Sequence, residues 1–123
     1  MAKARLEHVN LTVTDNRRSA ALFEKLLGWR QRWAGPAQAG GHTIHMGEDA
    51  AYLALYSDGE DHSRQVKGVP MNHVGLLVDD LDAAERVVLE AGLQPFGHDD
   101  YEPGRRFYFF DWDGIEFEVV SYE

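Results

Sequence analysis

The chain contains no cysteine, so neither a disulfide nor a thiolate metal site can form. It has no unbroken apolar run near the roughly 18 residues that a membrane span requires. The start, Met1-Ala2-Lys3-Ala4-Arg5, carries basic residues with no apolar stretch behind them, so no signal peptide is expected there. Basic residues are scarce overall: 12 Lys and Arg stand against 21 Asp and Glu, a formal net charge of −9. A basic patch or stripe is the usual footprint of a nucleic-acid partner, and none is visible. These absences point to a protein of the reducing cytoplasm, with neither membrane nor nucleic acid as partner. What is present is ordinary: 123 residues, 44% hydrophobic and 27% charged, one domain's worth of chain with enough apolar material for a core.

The organising feature is a repeat. Leu6-Glu7-His8-Val9-Asn10-Leu11-Thr12-Val13 returns 65 positions later as Asn72-His73-Val74-Gly75-Leu76-Leu77-Val78, so that His8 meets His73, Val9 meets Val74, Leu11 meets Leu76 and Asp15 meets Asp80. Each stretch reads as a strand that leads into a helical pattern. In the first copy the strand spans about Leu6–Val13, capped by Asp15 or Asn16. Its helix carries Leu22, Phe23, Leu26 and Leu27 and ends at Gly28. Strands follow at Trp29–Trp33, His42–Met46 and Tyr52–Tyr56, with a loop at Ala34–Gly41. Ser57–Pro70 is a polar connection. The second copy has a strand at Asn72–Val78 and a helix from Asp79 or Asp80 to Gly92. A short strand Pro95–His98, a loop Gly97–Gly104 containing Pro103, and a hairpin of Arg106–Phe110 with Ile115–Val120 complete it.

That order makes an α+β chain of two βαβββ modules, module one about residues 4–57 and module two about 71–123, within one domain. Each helix can cover only one face of its sheet. Alternation assigns Val9, Leu11, Val13, Leu53, Leu55, Val74, Leu76, Val78, Ile115, Phe117 and Val119 to the helix side. His8, Tyr52, Ala54, Tyr56, His73 and Glu118 fall on the other side, where polar ligands would gather.

These stretches resemble the vicinal oxygen chelate superfamily, which includes glyoxalase I, extradiol dioxygenases, fosfomycin-resistance proteins and bleomycin-resistance proteins. The markers are His8 to Asp15 leading to Leu22-Phe23-Glu24-Lys25-Leu26-Leu27-Gly28, then His73 to Asp79, then Asp111-Trp112-Asp113-Gly114-Ile115-Glu116-Phe117-Glu118. Trp112 stands where the family usually has proline. The resemblance implies a curved eight-stranded mixed sheet around a cleft, helices on the outer face, and a divalent metal in the cleft. By position its ligands would be His8, His73 and Glu118, while the fourth place falls on Ala54. A homodimer and a small-molecule substrate are implied as well.

Two imidazoles and one carboxylate leave several positions of a metal open, an arrangement that suits Fe(II) or Mn(II) first and Ni(II) or Zn(II) next. A chelated substrate with adjacent oxygens would then have developing negative charge stabilised. Ala54 argues against glyoxalase I activity, which uses two glutamates, and favours dioxygenase-like or thiol-transferase-like chemistry. Tyr56 and Tyr108 are the candidate catalytic groups, and Tyr52, Arg105 and Arg106 the candidate substrate contacts. The alternative is a metal-free protein that sequesters a small molecule, as bleomycin-resistance proteins do. His42, His45 and His98 read as surface or packing residues, His62 and the Asp58-Gly59-Glu60-Asp61 cluster as solvated, and Glu116 as an exposed strand residue.

Overall fold

The computed structural model describes residues 5–38, 40–101 and 104–123, and for Tyr101 the backbone alone. Pro103 and the residues before Arg5 lie outside the described set. The chain divides into two compact units, with the boundary between His62 and Ser63.

The first unit runs β1 (His8–Thr12), α1 (Asn16–Leu27), β2 (Arg30–Pro36), β3 (His42–Gly47), β4 (Tyr52–Ser57). Its four-stranded sheet has the order β1-β4-β3-β2, with β1 parallel to β4 and the other pairs antiparallel. The second unit runs β5 (Val74–Leu77), α2 (Leu81–Glu90), β6 (Phe96–Tyr101), β7 (Gly104–Phe110), β8 (Glu116–Ser121). It repeats the pattern as β5-β8-β7-β6, with β5 parallel to β8. The eight expected strands and two helices are all present, in two mixed sheets of four.

Local chemistry explains the helix limits. Asp15, not Asn16, is the cap of α1, its carboxylate accepting from the backbone N–H groups of Arg17 and Arg18. Asn16 instead is buried and donates its amide to the backbone oxygens of His42 and Leu55, tying α1 to β3 and β4. Gly28 ends the helix in the left-handed region at φ 65°, its N–H returning to Glu24 O, as a C′ glycine does. Asp80 caps α2 through Ala83 N. In each unit the helix seals one sheet face. Leu22, Phe23 and Leu26 are buried with Ile44, Met46, Leu53 and Leu55 in the first, and Leu81, Ala84 and Val88 with Phe107, Phe109, Phe117 and Val119 in the second.

Several strands run further than the sequence indicates, β2 and β6 furthest. Ala34–Pro36, expected as loop, continues β2. That strand lies at the sheet edge, where a proline need not donate to a neighbour. Asp99 and Asp100, expected as loop beyond the strand Pro95–His98, belong to β6, because a bulge between Phe96 and Asp99 resets the register so that Asp99 faces Arg106 and Asp100 faces Arg105. Gly97 adopts φ 65° at that bulge, and a Cβ there would come within 2.9 Å of the Tyr108 ring. Conversely, β5 is shorter than expected, so His73 sits just ahead of its strand.

Candidate metal and substrate face

On the sheet face of the second unit that α2 leaves uncovered, three side chains form a chain of contacts. His73 Nε2 lies 3.1 Å from Glu118 Oε1, and the other oxygen of that carboxylate accepts from Arg106 Nη1 at 2.8 Å. Glu118 and Arg106 are only 14% and 12% exposed, whereas His73 is 33% exposed at the rim. The register creates this arrangement. Tyr108 on β7 lies opposite Glu118 on β8, and Arg106 opposite Val120, so Arg106, Tyr108 and Glu118 share a face by alternation. Tyr108 presents its ring edge-on to His73 at 5.8 Å between centroids.

Glu116 departs from expectation. It is not an exposed strand residue: its side chain is 3% exposed. Its Oε2 is 3.9 Å from His73 Nδ1. Its Oε1 sits 2.8 Å from Lys67 Nζ, an ion pair whose angles fall outside hydrogen-bond geometry. The exposed Lys67 therefore folds over a buried carboxylate, which would be costly to bury without a cation.

In the first unit the matching face carries rings. His8 stacks on Tyr52 at 4.9 Å, Tyr52 on His45 at 4.5 Å, and His45 meets Trp33 at 5.0 Å, while the Arg32 guanidinium lies 4.3 Å over Tyr52. His45 lies opposite Ala54 across β3 and β4, as Tyr108 lies opposite Glu118 across β7 and β8. The repeat thus extends to these positions. Ala54 is buried and brings no donor. Burial lowers the His45 pKa below 6.5, helped by the charges of His8 and Arg32 and opposed by Glu7. A histidine with a lowered folded pKa binds fewer protons than it does unfolded, so its contribution is intact above 6.5 and is lost as pH falls through the folded value. His45→Phe is therefore expected to flatten the acid side of the stability profile, measured as the urea midpoint of variant and wild type over a pH series; an unchanged slope would count against it.

The remaining candidates divide. Tyr56 shares the His8 face by alternation, but its hydroxyl donates to Gly40 O at 3.1 Å. Arg105 goes to the opposite side, pairing with Asp82 of α2 at 3.1 Å. His62, expected to be solvated, is half-buried and binds Asp58, with its backbone N–H on Thr14. His98 pairs with Glu85 and stacks on Phe107. A cavity of about 440 Å³ lies between α1 and β2–β3, lined by Arg17, Ala20, Glu24, Gln31, Ile44 and Met46 among others. It is on the helix side, away from the face that bears His8.

Sequence reasoning missed Glu116, Lys67 and His45. For His45 a signal existed, since counting outward from the Gly47 turn places it opposite Ala54. Lys67 reaches its partner from a patternless segment and leaves no such trace. Among the described residues, no three His, Asp or Glu side chains are gathered closely enough to hold an ion by themselves; His73 and Glu118 are two donors in contact.

Does this pair fit a divalent ion? Two donors about 2.1 Å from one ion and at right angles to each other stand about 3 Å apart, close to the 3.1 Å between His73 Nε2 and Glu118 Oε1. A neutral imidazole and a carboxylate are also the donor types such ions take. The donor set fits.

Two βαβββ units, each opening on a histidine, with imidazole and carboxylate donors on the face left bare by the helix, define the class. The chain belongs to the Glyoxalase/Bleomycin resistance protein/Dioxygenase superfamily, whose sequence pattern matches residues 5–119. No curated protein matches it by sequence. Among solved structures it is similar to a glyoxylase/bleomycin resistance protein/dioxygenase domain from Frankia sp. EAN1pec, with 22% identity, TM-score 0.82 and 98% of each chain covered. It is also similar to the fosfomycin resistance protein FosX from Mesorhizobium loti, with 21% identity, TM-score 0.70, and 98% of this chain and 93% of that one covered. A third is FosX from Listeria monocytogenes complexed with Mn(II) and sulfate, with 17% identity, TM-score 0.74 and the same coverage. At these identities the likeness is one of fold.

Proposed function

We propose that the chain is a divalent-metal-dependent enzyme acting on a small oxygen-rich molecule, with His8, His73 and Glu118 as the metal ligands. The observation that carries this reading is the Arg106–Glu118–His73 chain of contacts. Arg106 occupies one carboxylate oxygen and leaves the other beside the imidazole, the donor pair an ion of the Fe(II) or Mn(II) type takes, with Ni(II) or Zn(II) next. When bound, such an ion would polarise two adjacent substrate oxygens and stabilise charge developing on them.

The chain's own groups supply the rest. Tyr108, edge-on to His73, is the hydroxyl best stationed to meet a substrate there, and Tyr52, stacked on His8, is its counterpart in the first unit. Tyr56, held by Gly40, and Arg105, held by Asp82, take no part in this scheme. Ala54 in place of a second carboxylate favours dioxygenase-like or thiol-transferase-like chemistry over glyoxalase I chemistry. A homodimer in the cytoplasm completes the reading, on the family resemblance and the lack of cysteine.

The test is elemental analysis of untagged protein, followed by turnover assays with catechols, thiol-plus-epoxide pairs and hemithioacetals. The expected result is near-stoichiometric divalent metal and turnover in one of the first two classes. Protein that comes without metal and takes up none when it is added would overturn the proposal in favour of metal-free sequestration.

A further inference from the structure

The two candidate imidazoles share a detail that the repeat alone does not require. In each unit, the residue just before the histidine turns an oxygen back onto its ring. Glu7 Oε1 lies 2.8 Å from His8 Nδ1, and Asn72 Oδ1 lies 2.8 Å from His73 Nδ1. The two residues differ in type and charge, yet both bring an acceptor to the same nitrogen at the same distance. Glu116 Oε2, at 3.9 Å and beyond hydrogen-bond reach, adds a negative charge on the Nδ1 side of His73.

Carboxylate and amide oxygens only accept, so the partner nitrogen must carry the proton. A neutral imidazole has one proton, and fixing it on Nδ1 leaves the lone pair on Nε2. For His73, that nitrogen is the one facing Glu118 Oε1. A lone pair and a carboxylate oxygen in contact repel unless a cation stands at them. An acceptor on the ring nitrogen away from the metal is also the arrangement that orients histidine ligands and raises their basicity.

We infer that Glu7 and Asn72 are positioning residues, which hold the protons of His8 and His73 on Nδ1 and so make Nε2 the donor atom of both rings. This rests on the metal-site reading for its purpose, but the location of the protons can be measured without any metal. His8 is the cleaner reporter, because in the metal-free chain Glu118 competes for the proton of His73.

The experiment uses the full chain with ¹⁵N-labelled histidine, read by long-range ¹H–¹⁵N correlation at a pH where imidazoles are neutral. In the metal-free wild type, His8 is expected as the Nδ1–H tautomer, moving toward Nε2–H in Glu7→Ala and returning in Glu7→Gln, which keeps an acceptor. With Zn(II) bound, both rings should be protonated on Nδ1 and ligated through Nε2. Asn72→Ala should weaken Mn(II) binding by about 10-fold or more, with Asn72→Asp restoring it and the melting temperature of the metal-free protein little changed. His8 found as Nε2–H in the wild type, or Mn(II) affinity equal in wild type and Asn72→Ala, would overturn the inference. A chain that binds no metal yet shows the Nδ1–H tautomer of His8, lost in Glu7→Ala, would support the positioning and overturn only the metal reading.

Discussion

Glu118→Gln and His73→Ala are each expected to weaken Mn(II) or Fe(II) binding by more than about 100-fold, since losing an outer-shell partner alone costs about 10–100-fold. The two groups touch at 3.1 Å, so either substitution removes half of that donor pair. Glu118→Gln is the more informative change. It keeps the volume at a site 14% exposed and keeps an oxygen for Arg106, while removing the negative charge that an ion needs. Because Arg106 is itself largely buried beside Glu118, Glu118→Ala would strip a half-hidden guanidinium of its carboxylate and lower stability as well. Isothermal titration on metal-free protein, paired with a melting curve, separates the two effects. Binding within about threefold of wild type in Glu118→Gln would remove Glu118 from the ligand set.

The largest effect on stability is expected at Phe117. This residue is fully buried on β8, the strand flanked by β5 and β7, and stacks on Phe109 at 5.3 Å. Truncating a buried phenylalanine removes transfer free energy and leaves a cavity, about 3–5 kcal/mol together. That is a large part of the roughly 5–15 kcal/mol that keeps a protein folded. Phe117→Ala should lower the melting temperature by roughly 10–20 °C and disturb His73 and Glu118, since β8 carries Glu118 on its other face. Phe110, on β7 but 41% exposed, serves as the comparison, with Phe110→Ala expected to cost less than about 1 kcal/mol. Equal losses at the two positions would mean that the core of the second unit does not lie where these burials put it.

The architecture was legible because its signals are local. The apolar alternation of Leu11 and Val13, the caps Asp15 and Asp80, and the glycine ending α1 each act within a few residues. The repeat then doubled the alternation and the aspartate caps, while α2 has its C-cap at Ala91 with Gly92 just beyond it. Edges were less legible for a physical reason: β2 and β6 are both edge strands, β2 running on through Pro36 and β6 past Gly97 on a bulge, and residue type does not show how far pairing with the next strand extends. In the site, His73 was readable by matching the two copies and Glu118 from the family resemblance, and the structure brings them into contact. Arg105 and Arg106 were not separable by residue type; only the β7–β8 register sends one to Asp82 and the other to Glu118. Glu116 was misread because alternation gives the face of a residue, not whether another segment covers it. Lys67 does so here.

The central claim is that both repeat histidines and Glu118 bind one divalent ion, and X-ray absorption at the metal edge of the Mn(II)-loaded chain tests it most directly. Two imidazole scatterers with oxygens filling the rest of the shell are predicted, falling to one imidazole in either His8→Ala or His73→Ala. A shell of oxygens alone, or a spectrum that both substitutions leave unchanged, would contradict it.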